Sequence, residues 1–235
     1  MRLLVLLFGL PVLLLAGESK KFSSGGNQVH LLELYSSEGC SSCPPAEQWL
    51  GELRHAPGLW RDFVPVAFHV DYWDRLGWRD RFASKEYTAR QYAYSGWWHH
   101  DTVYTPEFVL DGAEWRKGPG VSLPTAKNPA GELTADHAAG GVCRVTYLPA
   151  GDYEAHVALL SGGIRSEVRA GENRGRVLLH EFVVLELKSA LLDHGSVELK
   201  LNDSPAGGIA RRALAVWITR RGELAPLQAT GGWLD

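Results

Sequence analysis

The chain has 235 residues, a formal net charge of -3 and 45% hydrophobic residues. That length admits one large domain or two small ones, and the apolar fraction is ample for a packed core. The small net charge and the lack of a basic stripe exclude a typical nucleic-acid binder, while nine tryptophans point to rigid aromatic packing or a binding cleft.

Residues 3–16 (LLVLLFGLPVLLLA) form an apolar run behind Arg2. The run falls short of the roughly 20 residues a membrane helix needs. It fits the h-region of a signal peptide, with the polar stretch Glu18 to Asn27 next and Gly17-Glu18-Ser19 as the best cleavage candidate. A signal over residues 1–19 and a periplasmic or secreted location are therefore expected, with no stable membrane insertion after cleavage. Such a compartment lets disulfides persist. Of the three cysteines, Cys40 and Cys43 lie close together, which leaves Cys143 as the spare. Cys143 reads as a small apolar residue on a strand.

Residues 29–36 (VHLLELYS) read as a buried strand, followed by the turn Glu38-Gly39 and then Cys40-Ser41-Ser42-Cys43-Pro44-Pro45. A helix comes next, with Ala46, Trp49, Leu50 and Leu53 at helical spacing and Gly58 beyond its end. Prolines suit its first turn, whose N–H groups have no intrahelical partner. Residues 63–70 (FVPVAFHV) read as a second strand, and the three elements predict a right-handed βαβ unit with parallel strands. Residues 71–82 form an aromatic and charged loop, and Ser84 is an N-cap for a helix to about Ser95. Trp97-Trp98-His99-His100 follow, then Tyr104-Thr105-Pro106, a strand over 107–110, the hairpin turn Asp111-Gly112 and the strand 114–117. Residues 118–141 carry Gly, Pro and Ala without a sustained period and read as a linker or weak helix. Strands are predicted over 142–148, 153–160, 164–169, 178–187, 197–201 and 214–219, which suggests a small antiparallel β domain resembling a sandwich. The expected organisation is an α/β N-terminal domain over 27–117, the linker over 118–141 and a β-rich domain over 142–235.

A CxxC pair alone can be half a zinc site, a structural disulfide or a redox dithiol. Here it follows a buried strand and opens a helix, where the positive end of the dipole stabilises a thiolate. Cys40 is expected to be the exposed, attacking thiol and Cys43 the buried, resolving one. A cis bond is expected between Thr105 and Pro106, leaving the preceding backbone free to pair with an extended chain. Parallel strands bring the residues after their C-terminal ends to one edge of the sheet. His69, Val70, Asp71, Tyr72 and Trp73 should therefore stand beside Cys40, together with Glu38. Glu38 or Asp71 could act as proton acceptor, with His69 as an alternative relay. Equally, Asp71 could cap a turn, His69 could be a satisfied buried histidine and Glu38 could solvate the loop.

The strings ELYSSEGCSSCPP (33–45), HVDYWDRLGW (69–78) and YTP (104–106), with ARQ (89–91) and GENRGR (171–176), resemble the secreted, uncharacterised domain-of-unknown-function family 1223. The resemblance spans nearly all of the chain after the signal. It implies a thioredoxin-like N-terminal domain and bacterial export, and no reaction. With the residues, it makes the expected fold an α/β thioredoxin-like domain followed by a mainly antiparallel, sandwich-like β domain.

GENRGR reads either as an anion site using Arg174 and Arg176 or as a turn held by Gly171 and Gly175, with Glu172 or Arg174 available to pack across the domain interface. His99, His100 and Asp101, with Cys40, Cys43 and His69, could make a copper or zinc site, but adjacent histidines point to different sides of the backbone and no second CxxC exists. Tyr72, Trp73, Trp78, Tyr92, Trp97 and Trp98 suggest a cap over the CxxC edge or the core of an insertion. The functional expectation is an exported thiol–disulfide exchange protein acting on protein or small-molecule thiols and disulfides. Cys40, Cys43, Glu38, Asp71, Thr105 and Pro106 would carry the chemistry, and His69, Tyr72, Trp73 and Tyr104 would contact substrate, with no cofactor and no metal. The rivals are a non-catalytic binding module with a structural Cys40–Cys43 disulfide, and a metal carrier.

Overall fold

The computed structural model describes residues 19–117, 121–202 and 211–235. The expected signal over 1–19 therefore lies almost wholly outside the described residues. No helix among them is long and apolar enough to cross a membrane. In chain order the elements are β1 (Lys20–Ser23), β2 (His30–Ser36), α1 (Pro44–Glu52), β3 (Phe63–His69), α2 (Lys85–Trp97), β4 (Glu107–Leu110), β5 (Ala113–Glu114), β6 (Leu133–Ala138), β7 (Val142–Tyr147), β8 (Tyr153–Gly162), β9 (Ile164–Glu167), β10 (Val177–His180), β11 (Val183–Leu191), β12 (Ser196–Lys200), β13 (Arg211–Arg220) and β14 (Pro226–Trp233).

Every residue of β2 and β3 is buried, so both strands are central, and they run parallel from His30↔Phe63 to Ser36↔His69. Pro65 lacks an N–H, yet it is tolerated in β3. The far edge of β3 meets β11 only at Val183↔Ala67 and carries no ladder at Pro65. Pro44 and Pro45 occupy the first turn of α1, and Ser84 caps α2 by accepting a hydrogen bond from Glu86 N at 3.2 Å.

The expected α/β thioredoxin-like domain followed by a separate antiparallel sandwich is not what forms. The described chain is mostly β, with two α-helices against fourteen strands. One eight-stranded mixed sheet, ordered β14-β13-β8-β11-β3-β2-β4-β5, runs through both halves of the sequence. The junction is physical. Ala67 N donates to Phe182 O at 2.8 Å, so strands from the C-terminal half extend the sheet of the N-terminal half. Periodicity announces a strand but not the edge it joins, and that is why the halves looked separable. A four-stranded antiparallel sheet, β1-β6-β7-β12, covers one end, and β9 and β10 form a two-stranded hairpin.

Two further corrections concern segments. The stretch 118–141, expected as a linker or weak helix, contains β6. Its Leu133, Ala135 and His137 alternate inward, a period hidden by small and polar residues. The single strand expected over 178–187 is broken at Glu181-Phe182, where Phe182 takes the left-handed backbone (φ 58°). This break turns the β9–β10 hairpin over α1 and away from the large sheet. One core packs α2 on the sheet through Tyr35, Phe68, Tyr94 and Trp217, and a second lies between the two larger sheets around Leu133, Val145, Val157 and Val216.

Candidate functional site

The turn after β2 carries the cysteine pair. Cys40 N donates to Ser37 O at 3.1 Å, and Cys43 is the N-cap of α1. Cys40 and Cys43 form a disulfide with their Cα atoms 5.4 Å apart. Both residues are wholly buried, whereas Ser41 and Ser42 between them are exposed. Gly39 is required because a Cβ there would lie 2.9 Å from Trp73 Cβ. Against the pair lies the turn before β4, whose Thr105–Pro106 bond is cis as expected. Thr105 O stands 3.8 Å from Cys40 Sγ and accepts from Ser42 Oγ at 3.4 Å, while Trp73 Nε1 donates to Thr105 Oγ1 at 2.8 Å.

The loop between β9 and β10, which is the GENRGR stretch, closes over the cysteine turn. Asn173 is fully buried, and its Nδ2 donates to Glu38 O at 2.9 Å and to Cys40 O at 2.8 Å. Arg176 steadies it with a 2.8 Å hydrogen bond to Oδ1. Glu172 accepts from Ser41 N at 3.1 Å and from Ser41 Oγ at 2.6 Å. Glu172 does therefore pack across onto the N-terminal half, and Arg176 serves the loop itself.

Behind the disulfide lies a buried charged cluster. His180, delivered by the break between β10 and β11, has Nδ1 on Glu47 Oε2 and Nε2 3.2 Å from Glu38 Oε1. Ser36 Oγ donates to the other Glu47 oxygen, and Trp78 Nε1 donates to Glu38 Oε2 at 2.7 Å. His69 Nδ1 lies 2.6 Å from Asp80 Oδ2, which also accepts from Glu38 N at 2.8 Å. The two imidazoles meet edge to face with centroids 5.2 Å apart. Burial works against charge on every one of these groups, but the opposite charges win. Glu47 and Glu38 hold His180 up at about 10, and Asp80 also raises His69. The His69 charge draws Asp80 down to about 2, and His180 leaves Glu47 and Glu38 below the usual carboxylate range.

Of the residues singled out by sequence, Cys40, Cys43, Thr105, Pro106 and Trp73 come together at the disulfide, with Glu38 and His69 buried behind it. Cys40 is not the exposed thiol expected of an attacking residue: Thr105, Ser42 and the 171–176 loop surround it. Asp71 is turned to α2, where Thr88 Oγ1 donates to its Oδ1 at 2.6 Å. Tyr72 donates to Gln91 at 3.3 Å, and burial pushes its hydroxyl to about 12. Tyr104 is largely exposed and donates to Glu114 at 2.6 Å. His99, His100 and Asp101 lie on an exposed turn, away from the buried cysteine pair. Only Trp73 and Trp78 of the six aromatics reach the cysteine turn; Tyr92 and Trp97 face solvent. Cys143 is free and buried, which pushes its thiol to about 12. Sequence reasoning missed Ser36, Glu47, Asp80, Asn173 and His180. The one signal available was an acidic residue, Glu47, on the buried face of α1 beside Ala46 and Leu50.

Residues 31–219 match the family described as "Protein of unknown function (DUF1223)". No curated protein sequence matches the chain. Among solved structures, a crystal structure of a structural-genomics target from Agrobacterium tumefaciens is similar, with 25% identity, a TM-score of 0.63, and coverage of 87% of this chain and 94% of that one. HBP35 of Porphyromonas gingivalis shares the fold at 12% identity and a TM-score of 0.55, with coverage of 90% of this chain and 77% of that one.

Proposed function

The chain belongs to the DUF1223 family, and from that starting point we propose that it is an exported thiol–disulfide exchange protein with Cys40–Cys43 as the exchanging pair. The observation that supports this most is the place of the disulfide. It lies directly ahead of α1, bridged by two exposed serines, with the Thr105 carbonyl 3.8 Å from Cys40 Sγ. A helix N-terminus favours the thiolate over the thiol. The Thr105–Pro106 turn offers backbone beside the sulfur, where an extended substrate can be held.

In the reduced protein the Cys40 thiolate attacks one sulfur of a substrate disulfide. A Cys40–substrate bond forms, the substrate S–S bond breaks, and one substrate thiolate leaves. The Cys43 thiolate then attacks Cys40 Sγ, re-forming the Cys40–Cys43 bond and expelling the second substrate thiolate. Two electrons pass from protein to substrate, and the expelled thiolates take protons from solvent according to their pKa. The reverse sequence oxidises a substrate dithiol with the same balance. Protein and small-molecule thiols are both suitable substrates.

Full burial of both cysteines favours a second reading, a static disulfide in a non-catalytic binding module. Insulin reduction and refolding of a scrambled protein, each with wild type and Cys40→Ser, separate the two. Activity in wild type that vanishes in the variant is expected, and equal rates overturn the exchange reading. A reduction potential below about -300 mV places the pair among structural disulfides.

A further inference from the structure

Glu38, Glu47 and Asp80 are almost completely buried close behind the cysteine turn, and no lysine or arginine pairs with them among the described residues. Buried carboxylates need compensating positive charge. Two imidazolium ions would provide it, and one divalent cation with neutral imidazoles provides the same total charge. One atom has no role in the first arrangement. His69 is wholly buried with Nδ1 on Asp80, and its Nε2 has no hydrogen-bond partner. A buried orphan donor costs about 1–3 kcal/mol, whereas an unprotonated Nε2 held in place by an Nδ1–H to carboxylate hydrogen bond is the form in which histidine binds metals. His180 repeats the pattern in mirror fashion: Nε2 is oriented by Glu38, which leaves Nδ1 beside the Glu47 carboxylate.

We propose that Glu47, His69 and His180 form a binding site for one divalent transition-metal ion, zinc above all, through a Glu47 carboxylate oxygen, His69 Nε2 and His180 Nδ1. One donor atom from each of the three lies within 4.8 Å of the others. Ligands about 2.0–2.1 Å from a tetrahedral zinc stand roughly 3.3 Å apart, so small side-chain rotations close the set. Two imidazoles and one carboxylate are borderline-soft donors, which suit zinc over magnesium or calcium. Asp80 and Glu38 complete two carboxylate–histidine–metal relays. An entry path exists as well: a cleft of about 450 Å³ between α1 and the β9–β10 hairpin is lined by Pro44, Glu47, Gln48, Leu178 and His180. Three protein ligands leave a fourth position for water from that cleft. The cysteines take no part, so this site is independent of the exchange reading.

Protein with its disulfide intact, stripped by chelator, is titrated with Zn2+ by calorimetry and with Co2+ by visible absorption. One equivalent of each ion bound, with a Co2+ spectrum free of thiolate charge transfer, is the expected result. His69→Gln and Glu47→Gln should each weaken Zn2+ binding by at least about 100-fold, and Asp80→Asn by about 10- to 100-fold. Cys40→Ser/Cys43→Ser should bind as wild type does. Failure of the oxidised wild type to bind Zn2+, or unchanged binding in folded His69→Gln, overturns the proposal. Should the variants fail to fold, anomalous diffraction from Zn2+-soaked wild-type crystals decides: an ion among Glu47, His69 and His180 supports the site, and an ion elsewhere or none overturns it.

Discussion

Two buried charged clusters flank the central strands, and they are built in opposite ways. On the α2 side, Glu33 on β2 is wholly buried and receives a two-pronged pair of bonds from Arg90 at 2.8 and 3.0 Å, with Tyr94 and Tyr35 donating at 2.6 and 3.0 Å. The Arg90 guanidinium also lies over the rings of Phe68, Tyr94 and Trp217. One acid, one permanent cation and two phenols leave the carboxylate saturated. Behind the cysteines, three acids share two titratable histidines and a nitrogen stays unpartnered. The saturated cluster has nothing left to bind and serves the core. The unsaturated one keeps capacity in hand at the place where the sequence already concentrates chemistry. Burial of charge alone therefore does not mark a site; what sets the second cluster apart is an imidazole nitrogen left without a partner beside buried acids.

Breaking the saturated cluster should have the largest effect. Arg90→Met leaves Glu33 buried without its counter-charge and should cost about 3–5 kcal/mol in urea denaturation. Arg90→Met with Glu33→Gln should recover much of that loss, since the unpaired charge is the main penalty.

Acid tests the same side of the sheet through His156, which stacks on Trp217 and bonds Ser189 and Thr219 at 2.7 and 3.0 Å. Burial, aided by the Arg90 charge, lowers its pKa to about 3. Unfolding returns it to an ordinary histidine, so between about pH 6.5 and 3 the unfolded state binds more protons. Its contribution is complete above pH 6.5 and falls away as the pH drops, by at most about 3 kcal/mol at pH 4. Thermal melts over that range should show a flatter acid limb in His156→Gln.

On the other side, Asn173→Ala removes two hydrogen bonds to the buried carbonyls of Glu38 and Cys40 and should cost about 1–3 kcal/mol. It should also speed reduction of the disulfide by dithiothreitol. An unchanged reduction rate would show that the loop does not guard the sulfurs.

Much of the cysteine turn was legible because its signals are local. The pair, the prolines behind it, the Ser84 cap and the Thr105–Pro106 turn each occupy a few adjacent residues. The two parallel strands could be read as well, since short apolar runs flanking a helix have few other uses. The junction of β3 with β11 could not, because it depends on one edge contact between distant strands. The charged cluster was hidden for a related reason. Glu47, Asp80 and His180 belong to residue types usually found in water, and only the assembled fold removes the water from them. Asn173 sits in the stretch read as a turn held by Gly171 and Gly175, and the turn is real, but its amide was needed 133 residues earlier in the chain.

That separation has a consequence for the order of events as the chain is made. The cysteines, α1 and both parallel strands emerge together, whereas Glu172, Asn173 and His180 contact them across 131 to 142 residues of sequence. Contacts of that range form late. In a nascent chain the cysteine turn thus precedes its cover, and the loop over 171–176 closes on it only once the C-terminal half is in place.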